Sequence, residues 1–211
     1  STDIMSYNPL TIIEYLENML SNSSNNNLIL EPYYKNFTGK IISCDKENKK
    51  YIIKGVYSLL GKDKIKITEL PIGTWTQDYK EFLESLLTSK DKKYVKDFTD
   101  MSTECNVEFV VEFYPGIITK LLMEKHDNGI EGIEKYLKLY TTHTTTNMHL
   151  FNGKEQLKKY TTVNEIIEEY YSIRLEYYNK RKCYLIDKLS KELIILSNKV
   201  RYIKGNLDDT I

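Results

Sequence analysis

The fold is decided by the stretch Glu69-Leu70-Pro71-Ile72-Gly73-Thr74-Trp75-Thr76-Gln77-Asp78-Tyr79-Lys80-Glu81, which contains the only tryptophan of the 211 residues. Immediately before it, residues 64–69 alternate polar and apolar side chains, which predicts a strand with one face towards a core. Thr74 and Gln77 have the spacing of a capping box, in which two side chains satisfy free amide groups at a helix start. The sequence therefore predicts a strand, a tight turn and a capped helix. The apolar face predicted for this helix comprises Trp75, Tyr79, Phe82, Leu83, Leu86 and Leu87.

Several elements are predicted upstream of this stretch. Asn8 followed by Pro9 is typical of a helix start, and the helix is expected to continue to about Ser21. The Asn- and Ser-rich residues 22–27 have nothing to bury, which predicts a mobile loop. Three strands, at residues 40–43, 51–60 and 64–69, are expected to form an antiparallel meander. The apolar stripe of the first helix comprises Ile12, Ile13, Leu16, Met19 and Leu20.

Downstream, residues 107–113 alternate apolar and acidic side chains, which predicts a half-buried strand. Residues 117–125 and 132–139 are typical of two short helices. The Thr-rich segment continues as extended backbone over residues 141–151, and Asn152-Gly153 is a strong turn signal before residues 156–160. The sequence therefore predicts a hairpin at this point.

A single long helix is predicted for the last part of the chain. Thr162 and Glu165 have capping-box spacing, and the next proline or glycine is Gly205. A helix from Val163 to about Lys204 would be roughly 60 Å long at 1.5 Å per residue. Two apolar stripes of different phase indicate two different partners, the first being the domain itself and the second the missing mate of a coiled coil. The proximal stripe comprises Val163, Ile166, Tyr170, Ile173 and Tyr177, and the distal stripe comprises Ile186, Leu189, Leu193, Leu196, Val200 and Ile203.

These elements predict an α+β fold with an antiparallel sheet and packed helices. We expect an α+β domain at residues 1–161 and a long helix at residues 162–211, docked at its start and part of a coiled coil towards its end. A content of 41% hydrophobic and 12% aromatic residues is sufficient for a packed core. Lysine and arginine together number 30, as do aspartate and glutamate, so any attraction for phosphate has to be local.

The cysteines and the hydropathy pattern point to an intracellular chain. Cys44, Cys105 and Cys183 are odd in number and far apart, which favours reduced thiols over a disulfide framework or a zinc site. No apolar run approaches the length that crosses a bilayer. The abrupt beginning and end are those expected of a fragment.

Two blocks of the sequence resemble the eukaryotic-type type IIA DNA topoisomerases. The first is the stretch quoted above, with the pattern Glu-Leu-Pro-x-x-Thr-Trp-Thr-Gln-x-Tyr-Lys-Glu, which is similar to a signature in the tower part of the DNA breakage-reunion region. Both blocks occur in the expected order at similar separation, and the resemblance covers nearly the whole chain, with weaker agreement at residues 21–27 and 88–100. The second block begins at Leu139 and includes Thr146-Asn147-Met148-His149-Leu150-Phe151, Lys158-Lys159-Tyr160, Arg174, Tyr178, Arg181 and Lys182.

The resemblance implies a fragment of an ATP-dependent type II DNA topoisomerase, an isomerase. The fragment would comprise the tower and the first helix of a coiled-coil arm. Its implied role is to support and bend the gate segment of duplex DNA and to link the cleavage core to the exit gate. The parent is expected to be a nuclear homodimer that uses ATP and Mg²⁺ and has no membrane partner. This chain would hold no cofactor and, with the nucleophilic tyrosine upstream of it, would be inactive alone.

The same resemblance suggests DNA contacts at two places. A helix N-terminus suits phosphate, and the hairpin carries several lysines. Packing and solubility are the alternative explanation, because cations usually lie on solvated surfaces. The candidate contact residues are Thr76, Gln77, Lys80, Lys154 and Lys158.

Other candidate sites have simpler explanations. The family's nucleophile follows an arginine, and Arg201-Tyr202 is the only such pair, but it lies late in the long helix where a packing role is expected. His143 and His149 lack a cysteine or carboxylate at ligand spacing, so no metal site is predicted. The competing hypothesis for the whole chain is a scaffold protein that uses its long heptad helix to bind a partner.

Overall fold

A computed structural model describes residues 2–21, 28–44, 49–89 and 93–207. The loop predicted at residues 22–27 lies outside these ranges. The chain forms two compact units, residues 1–148 and residues 149–211. The sequence places the boundary later, between residues 161 and 162.

The elements of the first unit alternate between strands and short helices. Its helices are α1 (Pro9–Leu20), α2 (Thr76–Thr88), α3 (Ile117–Met123) and α4 (Gly132–Tyr136). Its strands are β1 (Lys40–Ser43), β2 (Lys50–Lys54), β3 (Val56–Leu59), β4 (Lys64–Glu69), β5 (Val95–Asp100), β6 (Phe109–Phe113), β7 (Lys125–His126), β8 (Ile130–Glu131) and β9 (Tyr140–Thr144). Strand β10 (Met148–Phe151) begins at the boundary, and β11 (Leu157–Tyr160) and α5 (Val163–Leu207) lie in the second unit.

Helix α1 begins as the sequence predicts. The Asn8 side chain accepts a hydrogen bond of 3.0 Å from the amide of Leu10, and Pro9 is the first helical residue. The predicted apolar stripe is only partly right, because Ile13 and Leu20 are exposed. The fully buried residue of α1 is Tyr15, which the stripe does not include.

The strand predicted at residues 51–60 is wrong as a single element. It is broken at Gly55, and its halves, β2 and β3, belong to two different sheets. A Cβ atom at Gly55 would lie 2.3 Å from the carbonyl oxygen of Glu69, so only glycine allows this close approach. The predicted meander is therefore replaced by a three-stranded sheet of order β1-β2-β9 and a four-stranded sheet of order β3-β4-β6-β5, both antiparallel.

Strand β5 is a strand that the sequence pattern does not reveal. Its residues Val95–Asp100 are mostly charged or polar, and only Val95 is fully buried. As an edge strand it is held by backbone pairing with β6 and by an ion pair of 2.6 Å between Lys96 and Glu112. Edge strands commonly carry such charged side chains, which hide the alternation that marks a half-buried strand.

The main core lies between the four-stranded sheet and the helices α2, α3 and α4. The two short helices predicted downstream are confirmed, although α3 and α4 each end earlier than predicted. From α2, Tyr79 is 2% exposed and its hydroxyl donates a hydrogen bond of 2.9 Å to the carbonyl oxygen of Leu137. The buried members of this core include Ile65, Ile67, Leu83, Phe109, Val111, Phe113, Ile118, Leu121, Ile133 and Leu139.

The start of α2 differs from the prediction. Trp75 is the N-cap residue and makes no side-chain capping bond, so the Thr74–Gln77 capping box is wrong. The helix begins one residue later than that box requires, and the Gln77 amide instead donates to Glu81 at 3.3 Å. Trp75, predicted on the apolar face, is 75% exposed.

The second unit consists of a hairpin followed by one helix of 45 residues. The long helix predicted from Val163 is confirmed. The Thr162 hydroxyl accepts a hydrogen bond from the Glu165 amide at 3.3 Å, as a capping box requires, but the Glu165 carboxylate accepts from the amide of Thr161. The fold class is therefore the predicted one: antiparallel sheets with packed helices and a long C-terminal helix.

Candidate nucleic-acid interface

The first group of candidate residues lies on the opening turns of α2. Thr76 is half-buried, and Gln77 is exposed with its amide bonded to Glu81. Lys80 extends towards β5, where its Nζ lies 3.5 Å from Oδ2 of Asp100. Of the three, Lys80 carries the only positive charge, and a carboxylate already offsets it.

The solvent-facing side of the four-stranded sheet carries cations that are also paired. Lys66 lies 2.8 Å from Glu108, and Glu112 binds both Lys64 at 2.9 Å and Lys96 at 2.6 Å. Hydrogen bonds from Lys96 and Lys64 lower the pKa of Glu112 to about 2. This surface therefore has little net attraction for a polyanion.

The second group lies on the β10–β11 hairpin, whose turn is built around Asn152. The Asn152 side chain accepts hydrogen bonds from the amides of Lys154 at 3.0 Å and Gln156 at 2.9 Å. The Asn152 amide donates to the Gln156 carbonyl at 2.9 Å, and Glu155 adopts a positive φ of 61°. These bonds fix the backbone that presents the exposed Lys154.

Glu169 of α5 fastens this hairpin to the helix. Its Oε2 atom accepts hydrogen bonds from Lys158 Nζ at 2.8 Å and from the Tyr160 hydroxyl at 3.0 Å, and the carboxylate also accepts from the Gly153 amide. The Lys158 and Tyr160 bonds lower the pKa of Glu169, and the Glu169 bond raises the pKa of Lys158. We call this arrangement the Glu169 clamp.

The turn also packs against the helix. A Cβ atom at Gly153 would lie 2.3 Å from Cδ1 of Ile173, so the glycine backbone lies directly on that side chain. The hairpin is therefore held by one apolar and several polar contacts. Its orientation on α5 is fixed at both the turn and strand β11.

The clamp divides the hairpin lysines into two kinds. Successive residues of a strand point to opposite faces, so Lys158 and Tyr160 share the face towards α5 and Lys159 points away. Among the residues that the structure describes, neither Lys154 nor Lys159 has an ion-pair partner, whereas Lys158 is engaged by Glu169. Lys159, absent from the candidate contact residues, is therefore more available for phosphate than Lys158, and strand alternation is the signal that identifies it.

Helix α5 exposes most of its apolar residues. In the proximal stripe, Ile173 contacts the hairpin turn, but Tyr170 and Tyr177 are exposed, so the prediction that these two tyrosines face the domain is wrong. The buried residue of α5 is Ile167. Every residue of the distal stripe is more than half exposed.

A buried polar cluster in the first unit was not predicted from sequence. Lys54, at the end of β2, places its Nζ 2.6 Å from both Oε2 of Glu134 and the carbonyl oxygen of Gly129. Tyr57 donates a hydrogen bond to Glu131, and burial together with this bond raises the Tyr57 pKa. These residues line a cleft of about 610 Å³. Lysine and glutamate are typical surface residues, so their spacing in the sequence gave no sign of a buried pair.

The remaining candidates show no feature of a catalytic centre. Tyr202 is exposed on α5, and the described part of the chain contains no group of three or more His, Cys, Asp or Glu side chains that could hold a metal. His143 lies on β9 and His149 on β10, in different sheets. Within the described ranges, no helix is long and apolar enough to cross a membrane.

Comparison with known proteins gives a consistent result over the whole chain. A family model for the A-type polypeptide of DNA gyrase/topoisomerase IV matches residues 1–211. A DNA topoisomerase 2 of Bombyx mori is 40% identical over 210 residues, which are 99% of this chain and 13% of that protein. A DNA topoisomerase 2 of Plasmodium falciparum (isolate K1 / Thailand) is 39% identical over 204 residues, covering 96% of this chain and 14% of that protein.

The fold is similar to that of a solved relative. The crystal structure of the Plasmodium falciparum topoisomerase II DNA-binding, cleavage and re-ligation domain matches with a TM-score of 0.91 and 37% sequence identity. The match covers 100% of this chain and 27% of that one. The chain thus corresponds to a small part of each of these proteins.

Proposed function

The chain belongs to the DNA gyrase/topoisomerase IV family, and from this premise we propose that it is the tower, with the first helix of a coiled-coil arm, of an ATP-dependent type II DNA topoisomerase. Its task is to support and bend the gate segment of duplex DNA and to link the cleavage core to the exit gate. The observation that carries this proposal is the hairpin, because it presents lysines on a backbone fixed by the Asn152 turn and the Glu169 clamp.

The hairpin lysines act on the DNA backbone rather than on its bases. Lysine is a point charge on a flexible stem, so it neutralises phosphate without reading sequence. Lys154 and Lys159 are the first contacts, and Lys158 joins them when phosphate competes with Glu169. Thr76, Gln77 and Lys80 form a second contact at the start of α2, where the first amide groups of the helix favour negative charge.

The chemistry of strand passage belongs to other parts of the parent. We propose that the parent is a nuclear homodimeric isomerase that uses ATP and Mg²⁺, and that this chain supplies neither the nucleophile nor the metal ligands. Its contribution is positional: it holds the DNA arms on either side of the cleaved step.

Fluorescence anisotropy with a labelled duplex tests DNA contact by the hairpin. We expect weak, sequence-independent binding that falls steeply with salt, because each lysine–phosphate contact releases counterions. The double variant Lys154→Glu, Lys159→Glu should weaken binding and reduce the salt slope by about two, at roughly one per lost contact. The control variant Lys35→Glu, Lys62→Glu makes the same charge change at two exposed lysines of the first unit. Equal effects of the two double variants would contradict contact through the hairpin.

The exposed distal stripe favours a second candidate function. A scaffold protein would use this stripe on α5 to recruit a helical partner, with the rest of the chain as its support. Such a protein has no need of duplex DNA. Absence of DNA binding together with capture of a second helix by α5 would favour the scaffold.

A further inference from the structure

The outer face of the β10–β11 hairpin carries two large apolar side chains in solvent. Phe151 is 71% exposed and Leu157 is 66% exposed. The hydrogen bond from the Asn152 amide to the Gln156 carbonyl pairs these two residues across the turn. Antiparallel pairing continued by one residue places Phe151 opposite Leu157. The two side chains thus form one exposed pair, which we call the hairpin apolar pair.

Burial along the strands agrees with this pairing. Met148 and Tyr160, which the same register places opposite each other, are both buried. Alternation then directs Phe151, Leu157 and Lys159 to the opposite face. The hairpin apolar pair is therefore a feature of the free face rather than an incomplete part of a core.

The surroundings of the pair are cationic. Residues 149–160 contain three lysines, Lys154, Lys158 and Lys159, against one acid, Glu155. Lys154 follows the pair in the turn, and Lys159 is two residues beyond Leu157 on the same face. An apolar pair flanked by lysines is complementary to a partner that offers anionic rims around a less polar groove, and duplex DNA has this character.

Resting on the function proposed above, we propose that the hairpin apolar pair enters a groove of the gate DNA while Lys154 and Lys159 bind the flanking phosphates. Phe and Leu side chains inserted at a groove partly unstack base steps and bend the duplex. The fixed turn and the Glu169 clamp suit this role, because a rigid hairpin loses little conformational freedom on binding. The pair would therefore contribute to DNA bending as well as to affinity, without selecting a sequence.

The test compares two double variants of the whole chain. Phe151→Ser, Leu157→Ser removes the hairpin apolar pair, and Leu59→Ser, Leu60→Ser makes the same change at two exposed leucines of the first unit. Affinity is measured by anisotropy and bending by energy transfer between dyes at the two duplex ends. We expect the hairpin variant to lose about tenfold in affinity, a typical loss when an aromatic contact to bases is removed, and to lose most of the bend. Its salt slope should stay unchanged, because no charge is altered.

Three outcomes separate this inference from the proposed function. Absence of DNA binding by the wild-type chain would overturn both. Weaker binding in the lysine variant, with affinity and bend unchanged in the hairpin variant, would overturn the apolar contact alone. Loss of self-association with DNA binding retained would identify the pair as a protein contact and also overturn it. The variant Phe151→Tyr, which keeps the ring, should bind and bend DNA like the wild type.

Discussion

At the scale of single residues, the buried pair Lys54–Glu134 dominates the polar interior of the first unit. Lys54 is 7% exposed and Glu134 is 8% exposed, and each has a second hydrogen-bond partner. A buried ion pair of this kind adds little net stability, but loss of one partner leaves an unpaired charge away from water. The pair therefore constrains the cleft between β2 and α4 strongly.

We expect Lys54→Met to destabilise the chain by about 3–5 kcal/mol, because the Glu134 carboxylate stays buried without its cation. The double variant Lys54→Met, Glu134→Leu should recover most of this loss. Urea denaturation of both single variants and the double variant measures the coupling. Simple addition of the two single effects would show that the groups do not act as a pair.

Glu112 gives a pH dependence with a definite sign. Its pKa is lowered from 4.5 to about 2 by hydrogen bonds from Lys96 and Lys64. A lowered pKa in the folded state means that this stabilisation is present above about pH 4.5 and is lost as the pH falls through about 2. The stability difference between wild type and Glu112→Gln should therefore be constant near neutral pH and shrink below pH 4.5. A difference that persisted to pH 2 would contradict the assignment.

At the scale of elements, sequence periodicity identified the helices and most strands but not what each face contacts. The 45-residue α5 follows from a long interval without proline or glycine, and the alternation of residues 64–69 predicts β4. Gly55 was not recognised as a break, because β2 and β3 each continue the same β-forming composition. The candidate contact residues were found from resemblance. The Glu169 clamp depends on contacts between elements, which periodicity does not encode.

Trp75 shows the same limit at the start of α2. Its spacing from Tyr79 and Phe82 places it on the apolar face, yet it caps the helix from outside and is exposed. The first residue of a periodic pattern lies where the chain enters the helix, so its side chain does not follow the helical direction. Tyr79 and Leu83, inside the helix, are buried as the pattern predicts.

The distal stripe of α5 should cause association of the isolated chain. Each fully buried side chain of this kind is worth about 1.5–3 kcal/mol, and all six are exposed. We expect concentration-dependent self-association in sedimentation velocity, and its loss in Leu189→Lys, Leu196→Lys. The matched control Ile194→Lys, Ile195→Lys adds the same charges at exposed apolar residues outside the stripe. A strictly monomeric wild-type chain would contradict the coiled-coil assignment.

At the scale of the whole molecule, charge is balanced and its pairing is uneven. The 30 cationic residues equal the 30 acidic residues in number. On the four-stranded sheet the described cations Lys64, Lys66 and Lys96 are all in ion pairs, whereas Lys154 and Lys159 on the hairpin are not. Attraction for DNA is therefore local to the second unit rather than a property of the total charge.

The chain alone should neither relax supercoiled DNA nor form a covalent DNA adduct, with or without Mg²⁺ and ATP. The physical reason is that Tyr202, the tyrosine that follows an arginine, lies exposed on α5 with no metal-binding cluster among the described residues. Gel electrophoresis after denaturation and protease digestion measures the adduct. An adduct that disappeared in Tyr202→Phe would overturn this expectation.

The clamped base of α5 also has a mechanical consequence. A helix of 45 residues is about 68 Å long at 1.5 Å per residue, and it is held near one end by Glu169 and Ile173. Such a rod is a lever whose fulcrum is the clamp: a tilt of about 5° at the hairpin moves the far end by about 6 Å. Force applied to the hairpin by a bending duplex would thus reach the opposite end of the arm as an amplified displacement.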